Sequence, residues 1–187
     1  MTNRKDLLVI IDKYIDNKNI VKHMLAVEVF MKALAKELNG DEEKWGRAGL
    51  IHDLDYTDDV EPEEHGLKIR EILKKENIDL NSDILQAVAA HNWRNNGVEP
   101  VTKMDWALFC GDSLTGLVVA ATLVLPDRKL ASLTTESILS KFPRKDFAAG
   151  TRREDIKMCD EKLGIPLERF VEICLKSMQG ISKKLGL

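Results

Sequence analysis

The sequence has no basic excess. Its 187 residues carry 28 lysines and arginines against 31 aspartates and glutamates, a formal net charge of −3. Proteins that coat nucleic acid displace counterions with surplus cations, so that class is disfavoured and nucleic acid is not an expected partner. Cysteine is scarce as well. Cys110, Cys159 and Cys174 form neither a CxxC pair nor an even disulfide framework, which points to a reducing cytoplasm. Long apolar runs are missing. The opening MTNRKDLLVIIDKYID is broken by Asp12 and Lys13 and has no small-residue cleavage site, so it reads as an amphipathic helix rather than a signal peptide. The longest other apolar run, 114–125, falls short of a bilayer span, and no membrane is expected. Alternating strand-like segments are nearly absent, and no internal repeat, low-complexity tract or linker is found.

What is present is helical periodicity. After Asn3, residues Leu7, Leu8, Ile11, Tyr14 and Ile15 follow i, i+3, i+4, i+7 spacing. After Asn19, a second stripe carries Met24, Val27, Phe30, Met31 and Leu34 and ends at Asn39-Gly40. Asp41 caps a third helix, with Glu42 and Glu43 favourable to its dipole, running through Trp45 and Ala48 into His52. Pro62 suits the first turn of a fourth helix reaching Glu76. Asn81 or Ser82 caps a fifth that ends near His91, and Asn95-Asn96-Gly97 is a turn. Further helices are expected at 101–125, 135–141, 152–163 and 166–185. The fold class is therefore all-α, a single-domain helical bundle over 1–187.

The four histidines fall in telling places. His23 shares a face with Val27 and Phe30, His52 follows Trp45 and Ala48, and His91 follows Ile84, Ala87 and Val88. Asp112 follows Leu108 and Phe109 in the same way, and His65 belongs to the expected first turn after Pro62. Singly, each histidine reads as a core residue bonded to a carbonyl. As a set they are harder to place, because four imidazoles and two carboxylates would each need a separate buried partner. One or two metal ions satisfy all of them together, and neutral imidazole is the commonest metal ligand. The adjacency of His52 and Asp53 fits too. Consecutive helical residues point about 100° apart, but at a helix end the turning backbone lets both grip one centre.

The order His23, His52-Asp53, His65, His91, Asp112 resembles the HD-domain superfamily of metal-dependent phosphohydrolases, in the subset with two extra histidines between the HD pair and the last aspartate. The resemblance covers about residues 20–116, with 117–187 as a C-terminal helical extension. It implies that His23, His52, Asp53 and Asp112 hold one metal, that His65 and His91 hold a second, and that Asp53 bridges them. It also makes His52 and Asp53 the expected catalytic pair. Ligands without cysteine suit Fe, Mn, Ni, Co or Zn, as one or two divalent ions. The sequence departs from relatives that read HDIGK, since the pair continues as Leu54-Asp55-Tyr56 without the phosphate-binding lysine.

Phosphate must then meet other cations. Arg94, three residues past His91, is the first candidate, since guanidinium binds phosphate bidentately. Lys103 is a second. The basic stretch KFPRKDFAAGTRR, 141–153, offers Arg152 and Arg153 at the start of a helix. Asp55 is a candidate to orient a ligand histidine from behind. The acid run from Asp53 to Glu64 mimics a calcium loop, but Asp58 stands where that turn needs glycine. The expected activity is metal-dependent hydrolysis of a nucleotide or other small phosphorylated metabolite. Two alternatives stay open: a di-iron oxygenase built on the same ligand pattern, and a non-catalytic metal- or nucleotide-binding module. The sequence sets no oligomeric state.

Overall fold

The longest apolar stripes in the sequence become the helices that frame the core. A computed structural model describes residues 3–187. In chain order the α-helices are α1 (Arg4–Tyr14), α2 (Lys18–Glu37), α3 (Glu42–Ile51), α4 (Ile69–Lys75), α5 (Ser82–Ala90), α6 (Trp93–Asn96), α7 (Lys103–Leu123), α8 (Thr135–Lys141), α9 (Arg153–Leu163), α10 (Leu167–Gln179) and α11 (Ser182–Leu185). A 3-10 turn spans Leu130–Ser132, and no strand occurs among the described residues.

Capping fixes most starts. Asn3 and Asp6 form a reciprocal capping box on α1, and Thr102 and Asp105 form one on α7. Asp41 accepts the Lys44 N–H at the start of α3. The second helix begins two residues earlier than its pattern predicts, because the Asn17 side chain takes the Asn19 N–H and caps it. Packing then joins the elements. α2 lies along α3, and α7 runs between α2, α5 and α9. Gly49 permits the first contact, since a Cβ there would meet the Val27 carbonyl oxygen at 2.9 Å. α10 closes the other side of α2, with Phe170 edge-on to Phe30 at 5.0 Å between centroids. Each such fully buried side chain stabilises the fold by about 1.5–3 kcal/mol. One continuous apolar cluster runs from Leu7 on α1 to Leu185 on α11.

Two expectations are corrected here. The helix predicted from Pro62 starts only at Ile69, and residues 62–68 form successive turns. Gly66 explains this: its φ of +83° is left-handed, and its N–H goes to the Asp55 carboxylate rather than to a helical carbonyl. The helix predicted over 166–185 is interrupted at Gly180-Ile181. The apolar run at 114–125 also proves to be part of a longer element. At 21 residues, α7 is the one described helix long and apolar enough to cross a membrane by length and composition, yet 67% of that stretch is buried inside the protein. A helix apolar on all faces is what the centre of a bundle requires.

Candidate metal centre

Six side chains predicted from sequence meet at one end of α2, α3, α5 and α7. His23 comes from α2 and Asp112 from α7. His52 and His91 occupy equivalent positions, each the C-terminal cap of its helix. Each folds back so that its Nδ1 donates to the carbonyl three residues earlier, His52 to Gly49 at 2.8 Å and His91 to Val88. The device leaves each Nε2 pointing away from the helix end. His65 sits on the 62–68 turns, and its Nδ1 donates to Asp55 at 2.9 Å. His23 Nδ1 lies 3.1 Å from the Thr115 hydroxyl, which itself donates to the Asp112 carbonyl and so accepts from the imidazole. All four Nδ1 atoms are thus assigned as donors by their partners.

That assignment leaves four Nε2 lone pairs facing inward. His23 and His52 Nε2 stand 3.1 Å apart, and His65 and His91 Nε2 stand 3.0 Å apart. Asp53 lies between the pairs. Its Oδ1 is 3.4, 3.3 and 3.8 Å from the Nε2 atoms of His52, His65 and His91, and its Oδ2 is 3.5 Å from His23. Asp112 Oδ1 is 2.8 Å from His23 and 3.6 Å from His52. Ligands about 2.1 Å from an ion are separated by about 3.0 Å at a right angle and about 3.4 Å at the tetrahedral angle. The observed spacings bracket those values, so the donor set fits a divalent ion. Two trios, His23–His52–Asp112 and His52–Asp53–His91, each bring their ligand atoms within 4.8 Å.

Electrostatics point the same way. Burial alone would hold His52 neutral, but Asp53 and Asp112 more than offset it and raise its pKa to about 9. His65 also rises to about 9, burial being outweighed by its bonds to Asp53 and Asp55. His91, buried beside His52 and His65, is pushed down to about 4. Asp53 and Asp112 are lowered despite burial, because imidazoles surround them. Without a cation, two protonated histidines must balance two ionised carboxylates. A divalent ion does the same and relieves the opposed lone pairs, so its binding competes with protons and weakens as pH falls.

The HD domain family matches residues 20–115, just over half of the chain. The chain belongs to the HD domain family. Among curated relatives, Ribonuclease Y of Nitratidesulfovibrio vulgaris (strain DP4) is 34% identical over 101 residues, 54% of this chain and 18% of that protein. Ribonuclease Y of Desulforudis audaxviator is 31% identical over 142 residues, 73% of this chain and 26% of its own length. That of Lawsonia intracellularis is 30% identical over 147 residues, 76% and 28%. This chain therefore spans only 18% to 28% of the length of these curated relatives. No solved structure matches it significantly.

Around the HD residues opens a cavity of about 950 Å³, at the upper end of the range for small-molecule sites. Of the four phosphate candidates, Arg152 lines it. The others do not. Arg94 sits on the short α6 after the chain turns at Asn92, donates to Asp155 at 2.8 Å and stacks on Trp93. Lys103 is exposed at the start of α7. Arg153 is buried, and its guanidinium donates to the carbonyls of Phe142, Arg144 and Phe147. Trp93 packs with Trp106 and Phe109 rather than into the cavity.

Other supporting residues had little or no sequence signal. Asn92 donates to the carbonyls of Pro62 and His65 and so pins the turns that carry His65. Thr115, which fixes the His23 tautomer, lies three residues past Asp112 on the same helix face, a spacing that could have singled it out. Tyr56, half-exposed, meets His65 edge-on at 5.3 Å.

Asp55 is fully buried, with one oxygen on His65 and the other on the Gly66 N–H. Asp55→Asn is expected to weaken metal binding about 10- to 100-fold, the usual effect of losing a carboxylate behind a ligand histidine. Competition with a chromogenic chelator reads this directly. Unchanged affinity would reduce Asp55 to a loop anchor.

Proposed function

We propose that this protein is a metal-dependent phosphohydrolase acting on a nucleotide or other small phosphate ester. The single observation that carries the reading is the convergence of four imidazole Nε2 atoms on Asp53 and Asp112 at the floor of an open cavity. Membership of the HD domain family supports the same chemistry in general terms. In this reading His23, His52, Asp53 and Asp112 hold one divalent ion, and His65 and His91 hold a second, with Asp53 common to both. Such ions lower the pKa of a water and polarise a phosphoryl oxygen, which is what ester hydrolysis at neutral pH requires.

The chain's own groups do the rest. Asp53 and Asp112 stay ionised, because the imidazoles around them hold their pKa values down. The backbone carbonyls of Gly49 and Val88 and the Asp55 carboxylate keep the rings of His52, His91 and His65 oriented. Arg152 supplies a guanidinium at the cavity wall for the phosphate oxygens.

The test has two stages. Metal content of protein purified without chelator should be about one to two divalent ions per chain, in line with the donor set. A panel of phosphate esters should then release phosphate with the loaded protein and not after chelation. Oxygen consumption with no phosphate released from any ester would overturn the reading in favour of oxygenase chemistry.

A further inference from the structure

Five carboxylates line the cavity, Asp16, Asp53, Asp55, Asp58 and Asp112, against one guanidinium, Arg152. Three of the five are committed: Asp53 and Asp112 to the imidazoles, Asp55 to His65 and Gly66. Asp16, in the link between α1 and α2, and Asp58, in the loop after α3, are exposed at the rim. Neither makes a hydrogen bond or ion pair among the described residues, and Arg152 is likewise unpaired. The other nearby cations cannot help. Arg94 is tied to Asp155, and Arg153 to backbone carbonyls.

We propose that the cavity takes substrates bearing a single phosphoryl group, and that Asp16 and Asp58 turn away nucleoside di- and triphosphates and RNA while Arg152 receives the one phosphate. The proposal rests on the phosphohydrolase reading above. Two divalent ions and Arg152 carry five positive charges; Asp53, Asp55 and Asp112 offset three, which leaves two for a single phosphate dianion. Each further phosphate adds negative charge beside Asp16 and Asp58, with no cation to meet it. Like charges brought together in a partly enclosed site are costly, and specificity is commonly built from that kind of repulsion. A single-stranded nucleic acid also needs a positively charged groove along its backbone, and this rim is acidic.

The position of Arg152 is itself secured. It precedes α9, at the end of a loop in which Ala148 holds a left-handed φ of 45°. That conformation is unfavourable for a residue with a side chain and persists only where neighbours impose it. Arg153 imposes it here, its buried guanidinium gathering the carbonyls of Phe142, Arg144, Phe147 and Ala148 around itself. The cation that reads phosphate number thus comes from outside the 20–115 family match.

The experiment is calorimetric binding to the metal-loaded protein at fixed free metal. The probes are non-hydrolysable phosphonate forms of AMP, ADP and ATP and a short 5′-phosphorylated RNA. The monophosphate analogue should bind about tenfold or more tightly than the triphosphate analogue or RNA, as expected for added like-charge repulsion. Asp16→Asn with Asp58→Asn should bring that ratio towards one. Arg152→Ala should weaken the monophosphate analogue about tenfold or more, the worth of a charged hydrogen bond, at unchanged metal content. Arg152→Lys should recover part of it. Triphosphate or RNA binding as tight as monophosphate, a ratio unmoved by the double substitution, or no binding of any probe would overturn the proposal. A monophosphate preference without phosphate release from any ester would instead leave this selectivity standing and remove the hydrolase reading. Equal phosphate release from AMP, ADP and ATP themselves, assayed in parallel, would keep the hydrolase and reject the selectivity.

Discussion

Asp53→Asn is expected to strip the centre of most of its metal and to lower phosphate release by about a thousandfold or more, the scale of losing metal-assisted charge stabilisation. The residue has no near-equivalent in the site. Its Oδ1 faces the Nε2 atoms of His52, His65 and His91, and its Oδ2 faces His23, all within 3.8 Å. Asparagine keeps the volume, so the surrounding helices should pack as before. It removes the charge, however, and replaces one acceptor with an amide donor. That amide would donate to an imidazole Nε2 and occupy a lone pair meant for an ion. His52 and His65 would also lose a carboxylate that holds their pKa values at about 9. Elemental analysis, a phosphate-release assay and far-ultraviolet circular dichroism together separate this from unfolding. Added metal should raise the melting temperature of the wild type, since it binds only the native arrangement, by about 2.7 kcal/mol of stability at a hundredfold excess over Kd. The variant should show no such rise. Full metal occupancy in Asp53→Asn would remove Asp53 from the centre.

The helices were legible because their apolar stripes repeat at the helical period, and α2 with Met24, Val27, Phe30, Met31 and Leu34 is the clearest example. The convergence of the six predicted ligands was also legible, because few arrangements of a small domain bury four imidazoles and two carboxylates without a shared partner. What could not be read were contacts made between distant segments. Pro62 is a sound local signal for a helix start, yet Gly66 gives its N–H to Asp55, eleven residues earlier, and the chain stays in turns until Ile69. The same bond brings His65 close to His91. Arg94 does not line the cavity for a similar reason. Its spacing from His91 assumes a continuous helix, whereas the chain turns at Asn92 and Asp155, 61 residues later, takes the guanidinium. Arg152 and Arg153 are neighbours of identical type. Only the folded loop decides that one lines the cavity while the other is buried among carbonyls.

The double substitution His65→Ala with His91→Ala is expected to take metal stoichiometry from about two ions per chain to about one, and to abolish most phosphate release. The two imidazoles form a pair of their own, Nε2 to Nε2 at 3.0 Å, facing Asp53 Oδ1, whereas His23 faces Oδ2. The opposite trio of His23, His52 and Asp112 lies within 4.8 Å and loses none of its members. One ion should therefore remain, held by groups on α2, α3 and α7. Helicity should survive, because His65 sits on turns rather than in a helix, and His91 is the final cap of α5. Removing His65 still leaves Asp55 bonded to the Gly66 N–H, so the turns keep an anchor. Activity should fall much further than metal content, since a clamp that holds both the attacking and leaving oxygens needs two ions. Elemental analysis beside a titration of metal-dependent rate distinguishes the outcomes. A wild type that saturates at one ion per chain would reject the second position, and a double variant that still binds two would place it on other residues.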